Sequence, residues 1–173
     1  MKNPISKKEI FATAFFIIAI FTAMAPLIYM PLDSEEGTAA FTAATLLKGG
    51  ALYTGAFDTM LPLNYYIYKT AFSFFGEGAA AVRYVSVIYV ILTALAVFII
   101  CRQRLGAFIS FAAMVFYVLS VLNPHTGALR AYPAMFAGFP LLLSFMVLLN
   151  RDKGYENTHF AISGFFMGTA MLI

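Results

Sequence analysis

The sequence predicts an all-α, polytopic transmembrane protein, and two observations lead to that prediction. Apolar residues make up 62% of the chain and charged residues only 11%, whereas the charged fraction of soluble domains is nearer a quarter. The apolar residues also form long runs, and the first of them, residues 10–32, contains no charge at all. A helix needs about 20 apolar residues to cross a bilayer. We therefore treat residues 1–173 as one transmembrane module without separate domains.

Five apolar stretches are predicted to span the membrane, although the last three are near or below the usual length. They cover residues 10–32, 79–101, 105–122, 131–149 and 159–173. The final stretch ends without a polar flank, and a terminal carboxylate inside a bilayer would be costly. We therefore expect these 173 residues to be the front part of a longer protein.

Basic residues beside the spans predict the orientation. They precede the first span and follow the second and the fourth, at Lys2, Lys7, Lys8, Arg102, Arg104, Arg151 and Lys153. Because short cytoplasmic segments are enriched in Lys and Arg, we expect a cytoplasmic N-terminus and an outward-facing loop 33–78. The net charge of +3 is then a topology signal and does not indicate a nucleic-acid partner.

The outer loop is predicted to hold two helices at the membrane interface. Residues 60–75 are apolar and aromatic but include Lys69. We expect this segment either to lie at the interface or to dip into the membrane and return. Its tyrosines, Tyr65, Tyr66 and Tyr68, suit a position at headgroup level, with their rings buried and their hydroxyls in water. The charge pattern argues against a crossing here, because a crossing would turn Arg102 and Arg104 outward.

The other loop helix begins at a cluster of acids, Asp33, Glu35 and Glu36, that directly follows the first apolar run. Asp33 or Ser34 is expected to cap the helix, with both glutamates in its first turn. An apolar face of Ala40, Phe41, Ala44 and Leu47 follows, and Lys48 with Gly49-Gly50 is expected to end the helix.

These acids have two interpretations. They cap a surface helix, or they serve as a general base, or as ligands of a divalent cation, for chemistry on a lipid-borne substrate. The sequence defines no cofactor, and a divalent cation is the one candidate. Neither histidine has a second histidine nearby to suggest a metal site.

A longer pattern favours the second interpretation. It consists of the acids of "LDSEEG", the Gly50–Tyr53–Asp58 spacing of "GALYTGAFD", and "PLNYYIYKTAFSFFG" followed by Arg83. Together these marks resemble the first outer loop and second span of GT-C glycosyltransferases, the closest group being bacterial relatives of protein mannosyltransferases and aminoarabinose lipid A transferases. The resemblance covers nearly all of the chain. One departure is the absence of a lysine that many relatives carry shortly before the proline.

The resemblance implies an inverting transfer of a sugar from a polyprenyl-phosphate donor. The acceptor would be a lipid, a glycan or a protein on the outer or lumenal face, and the enzyme would lie in the plasma (inner) membrane of a bacterium, among membrane lipids. Asp33 would be the catalytic base. Glu36 is favoured as the second acid, with Glu35 left open. Later loops would complete the site, so residues 1–173 alone are not expected to turn over.

Substrate binding is assigned to four further residues, each with an alternative where the residue type suggests one. They are Arg83, Asp58, Lys69 and Tyr53. Arg83 and Lys69 are expected either to reach the donor phosphate or to extend towards lipid headgroups. Asp58 also suits a cap of the turn before Pro62.

Two further residues and one rival function complete the predictions. Arg130 and His125 flank a short outer loop and either join the site or remain solvated. The rival is a non-catalytic membrane protein, namely a transporter subunit, an assembly partner or a truncated family remnant. The absence of an acid in the middle of any predicted span disfavours a transporter.

Overall fold

The computed structural model describes residues 6–54, 60–123, 130–150 and 155–173, and all regular structure within these segments is helical. The prediction of an all-α chain is therefore confirmed. The helices are α1 Lys7–Met24, α2 Ser34–Leu47, α3 Pro62–Phe75, α4 Ala79–Leu105, α5 Ala107–Leu122, α6 Pro133–Leu149 and α7 Glu156–Met171. A 3-10 helix, Ala25–Tyr29, continues α1.

Two helical segments in the described part of the chain are long and apolar enough to cross a membrane. They are Lys7–Tyr29, which joins α1 to the 3-10 helix, and α4. The apolar helices α5 and α6 have 16 and 17 residues, and α7 has 16. By length, the structure thus supports two of the five predicted spans, and the other three remain predictions.

The bounds of α2 agree with the prediction, and of the four residues given for its apolar face only Phe41 departs from it. Asp33 is the N-cap and Lys48 the C-cap, and Gly49 has a φ of 89°, which suits glycine at a helix end. Phe41, which was placed on the apolar face, is 63% exposed. Ala40 is buried and Ala44 and Leu47 pack against the core, together with the buried Ala39, Ala43 and Leu46, and the small alanines let α2 pack directly on α3.

The position of α3 corrects the prediction for two of its tyrosines. Tyr65 and Tyr68 are 0% and 1% exposed, so their hydroxyls do not lie in water. The two residues share one helical face with Phe72, and this face packs into a core cluster with residues of α2 and α4. Tyr66 lies elsewhere on the helix and is 46% exposed, with the Lys69 ammonium 5.9 Å from its ring centroid.

Helix α4 is the centre of the bundle and packs against α3, α5 and α6. One core cluster surrounds Tyr68 and Phe136 and joins α2, α3 and α6 to the start of α4. A second cluster, which includes Ile20 and Met114, joins α1 and α5 to the rest of α4. Helices α6 and α7 pack side by side, and their Ser144 and Ser163 hydroxyls are 2.8 Å apart in a buried hydrogen bond.

Contacts at one end of α4 bring three helix termini together. Arg102 Nε donates to Glu9 Oε1 on α1 at 3.0 Å, and Arg104 Nη2 donates to the Leu149 carbonyl of α6 at 3.2 Å. Arg102 and Arg104 thus lie at the end of the bundle where α1 begins, as the charge pattern predicts. The basic residues Lys2, Arg151 and Lys153 lie outside the described residues.

Candidate functional site

The first turn of α2 positions two carboxylates through reciprocal hydrogen bonds. Asp33 Oδ1 accepts the Glu36 backbone N–H at 2.8 Å, and Glu36 Oε2 accepts the Asp33 backbone N–H at 3.0 Å. This is a capping box, in which two unpaired N–H groups of a helix start are satisfied by side chains. The sequence folds this way because an N-cap acid is followed three residues later by glutamate.

Glu36 points into the protein and binds Arg83, which lies near the start of α4. The two guanidinium Nη atoms donate to the two carboxylate oxygens, with Nη2 at 2.8 Å from Oε2, and Nη2 also donates to the Pro31 carbonyl at 2.9 Å. The Glu36 side chain is 0% exposed and that of Arg83 is 8% exposed. A bidentate pair of this kind compensates both buried charges and fixes the angle between α2 and α4.

A third segment, the residues directly before α6, is bound to the same carboxylate. The Ala131 backbone N–H donates to Glu36 Oε1 at 2.6 Å, and the Ala131 carbonyl accepts the Tyr68 hydroxyl at 2.7 Å. Burial raises the pKa of Tyr68 far above its usual range, so its hydroxyl stays protonated and donates. Glu36 and Tyr68 therefore hold the backbone on both sides of Ala131.

Asp33 faces the other way and is partly open to solvent. Its Oδ2 accepts the Tyr132 hydroxyl at 2.7 Å and lies 3.2 Å from Arg130 Nη1, and the Asp33 side chain is 26% exposed. Arg130 Nη1 also donates to the Tyr132 hydroxyl at 2.9 Å. We call Asp33, Arg130 and Tyr132 the outer triad.

The outer triad keeps Asp33 ionised. Burial acts to raise the pKa of Asp33, but the hydrogen bonds from the Glu36 amide and the Tyr132 hydroxyl, together with the charge of Arg130, outweigh it. The pKa of Asp33 therefore lies below its ordinary value. An ionised carboxylate with one partly exposed oxygen is able to accept a proton or to bind a cation.

The structure brings some predicted site residues together and leaves others apart. Asp33, Glu36 and Arg83 form one connected network, and Arg130 joins it through Asp33. Glu35 is exposed and contributes only its backbone N–H to Asp33. Neither Tyr53 nor Lys69 has a described contact with the acids: the Tyr53 hydroxyl donates to the Met60 carbonyl at 3.0 Å, and Lys69 lies over Tyr66. Asp58 and His125 lie outside the described residues.

These contacts correct one prediction from the sequence and add one residue that the sequence analysis missed. Arg83 does not extend to lipid headgroups, because its guanidinium is buried against Glu36 and the Pro31 carbonyl. Tyr132 was missed, although it supplies the shortest side-chain contact to Asp33. The signal that pointed to it is the "RAYP" sequence, which sets an arginine and a tyrosine just before the proline that starts α6.

A divalent cation remains a prediction. Among the residues that the structure describes, no group of three or more His, Cys, Asp or Glu side chains lies close enough together to hold a metal ion. Within the network, Asp33 is the acid better placed to contribute to such a site with other ligands, since its side chain is 26% exposed whereas that of Glu36 is buried against Arg83.

Comparison with protein-family models, curated proteins and solved structures finds no match for this chain. The resemblance to GT-C glycosyltransferases therefore remains a hypothesis that depends on the motifs described above.

Proposed function

We propose that the chain belongs to a membrane glycosyltransferase. It would move a sugar from a polyprenyl-phosphate donor to an acceptor at the outer face of the membrane that holds it. The observation that carries this proposal is the different burial and pairing of Asp33 and Glu36, two acids only three residues apart. Glu36 is buried and neutralised by Arg83. Asp33 has a partly exposed side chain, a lowered pKa and a second arginine beside its Oδ2.

Asp33 has the chemistry that such a transfer needs from a base. Its carboxylate takes the proton of an acceptor hydroxyl while the acceptor oxygen attacks the sugar C1. The C1–O bond to the phosphate breaks, the phosphate leaves with the bonding electron pair, and the configuration at C1 inverts. The leaving phosphate gains negative charge and needs a cation nearby.

Arg130 is the cation that the described residues offer for this purpose. Its side chain is 54% exposed, and its Nη1 lies 3.2 Å from Asp33 Oδ2. A guanidinium has five N–H donors in a planar fork, so it is able to bind Asp33 and a phosphate oxygen at the same time.

Glu36 and Arg83 then act as positioning residues. Their ion pair and the Ala131 hydrogen bond hold α2, α4 and the start of α6 together behind Asp33. This arrangement supports Arg83 as part of the site's framework, since both of its Nη atoms already bind Glu36. We propose the outer face as the location of this site, with the start of α1 in the cytoplasm and the protein in the inner membrane of a bacterium.

A second candidate function has its own supporting observation. The capping box accounts for hydrogen bonds of both acids without any chemistry. On that view the chain is a non-catalytic membrane protein, and the outer triad fastens the segment before α6 or binds a partner protein.

Replacing Asp33 with Asn distinguishes the two functions, because asparagine is also a good N-cap but is not a base. In the intact protein, purified in detergent with a labelled polyprenyl-phosphate sugar and a lipid extract of the producing cells, Asp33→Asn should lower the release of polyprenyl phosphate by roughly 100-fold or more. The control is Glu77→Gln, an exposed acid of the same outer loop. Turnover that persists in Asp33→Asn would remove Asp33 as the base, and a wild-type protein without transfer would favour the non-catalytic candidate.

A further inference from the structure

Only one oxygen of Asp33 is left to receive a proton. Oδ1 accepts the Glu36 backbone N–H at 2.8 Å, and losing that bond would leave the start of α2 uncapped. Oδ2 is therefore the oxygen that a substrate must reach. It is also the oxygen that accepts the Tyr132 hydroxyl.

We propose that the Tyr132 hydroxyl occupies the place of the acceptor hydroxyl, and that the acceptor binds by displacing it. This inference rests on the proposed function. A hydroxyl at 2.7 Å that donates to Oδ2 is what an alcohol acceptor would present to a general base before transfer. Tyr132 is thus an internal competitor that sets how tightly the acceptor binds.

The surroundings of Tyr132 allow its ring to leave while the rest of the site stays in place. The backbone before it is held at Ala131 by the buried bonds to Glu36 and Tyr68, and Pro133 restricts the backbone after it. The ring itself is only partly buried. A side-chain rotation is therefore enough to free Oδ2 without moving α6.

The exchange leaves no buried charge without a partner. Arg130 Nη1 lies 3.2 Å from Oδ2 and also donates to the Tyr132 hydroxyl. The carboxylate therefore keeps its counter-charge when the tyrosine departs, and the oxygen of the arriving alcohol is able to accept the bond that Arg130 gave to the tyrosine. One neutral hydroxyl donor is replaced by another. The free-energy cost of this exchange is small compared with that of leaving an ionised carboxylate without the donor. The ligand class that fits this exchange is an alcohol, such as a sugar or lipid hydroxyl.

The first test compares Tyr132→Phe with the wild type in the transfer assay. Removing the competing hydroxyl should lower the concentration of lipid extract that gives half-maximal rate by roughly tenfold, which is the worth of one hydrogen bond to a charged group. The tyrosine has left Oδ2 once the acceptor is bound, so the half-saturating concentration is the quantity that should change. A fall in maximal rate at an unchanged half-saturating concentration would overturn the proposal, since it would mean that Tyr132 relays the proton. The matched control is Tyr155→Phe, a tyrosine that is 71% exposed and that directly precedes α7.

The second test needs no turnover, so it separates this inference from the proposed function. A water-soluble carbodiimide with glycinamide couples to accessible carboxyl groups, and mass spectrometry reports the modified fraction of Asp33. Tyr132→Phe should raise the modification rate of Asp33 several-fold, whereas Tyr155→Phe should not change it. An unchanged rate in Tyr132→Phe would overturn the inference even if transfer is observed. An increased rate in a protein without transfer would overturn the proposed function and leave the occupancy of Oδ2 by Tyr132 intact.

Discussion

The two ends of α4 use the same structural device with different first residues. At each end an arginine of α4 binds the glutamate of a capping box on another helix. At the end where α1 begins, Ser6 and Glu9 form the box, and Arg102 binds Glu9 at 3.0 Å. The side chains of this pair are 18% and 12% exposed. Here the cap is a serine hydroxyl, which accepts one N–H from α1 and carries no charge.

At the opposite end the cap is an acid. Asp33 and Glu36 form the box, and Arg83 binds Glu36 in a more deeply buried pair. A carboxylate has a second oxygen when the first one caps the helix. In ionised Asp33 this second oxygen contacts the other two members of the outer triad, Arg130 and Tyr132. The ion pair and the capping box, which occur at both ends, thus fasten helices without requiring any chemistry. The candidate chemistry depends on the one change from serine to aspartate.

The largest expected effect concerns the side of the membrane on which each box lies. Lys7 and Ser34 are both exposed first residues of their helices, so cysteines there form a matched pair in a Cys101→Ala background. In intact cells, a membrane-impermeant thiol reagent should label Ser34→Cys, and it should label Lys7→Cys only after lysis. Labelling of both positions in intact cells would contradict a membrane between the two boxes.

The next effect is on stability and follows from the different burial of the two pairs. Arg83→Gln leaves the buried Glu36 without its counter-charge and should cost about 3–5 kcal/mol of unfolding free energy. Arg102→Gln affects a more accessible pair and should cost clearly less than Arg83→Gln. Thermal unfolding in detergent measures both, and equal losses would show that burial does not distinguish the two ends. Lys48→Gln, which removes an exposed partner of Glu77, should change stability by less than about 0.5 kcal/mol.

The smallest effect is a pH dependence that only the aspartate cap should produce. The pKa of Asp33 in the folded protein lies below its ordinary value of 3.8. Its stabilising contribution is therefore complete above that value and is lost as the pH falls through the lowered pKa. The stability difference between wild type and Asp33→Asn should thus shrink when unfolding is measured from pH 5 down to pH 3. A constant difference over this range would contradict the role of ionised Asp33 in the folded state.

Local sequence predicted the elements of this site better than their partners. The "DSEE" sequence predicts the start of α2, because a capping box needs only residues three apart, and Lys48 with Gly49 predicts its end. The Glu36–Arg83 pair joins residues 47 positions apart, and no local pattern records which arginine a given glutamate meets. Tyr65 and Tyr68 were wrongly expected to keep wet hydroxyls for the same reason. An aromatic helix at a membrane interface has the same sequence pattern whether lipid or protein covers its aromatic face.

The span count shows a related limit. Hydropathy indicates which segments avoid water, but apolar helices such as α5 and α6 are too short for length alone to decide whether they cross a bilayer. Their packing against α4 is set by tertiary contacts. The composition therefore predicted the class of the fold, whereas the number of spans rests on the two longest helical segments.

The hydrogen-bond partners of the Glu36 carboxylate appear in a fixed order during synthesis of the chain. Its partners Arg83 and Ala131 lie 47 and 95 positions further along the sequence. At about 5–20 residues per second, the ribosome adds Ala131 roughly 5–20 s after Glu36. During that interval the carboxylate lacks both partners at first and then Ala131 alone, so water has to satisfy its oxygens until the partners arrive. The outer segments are therefore free to close over Glu36 only when the start of α6 has been synthesised.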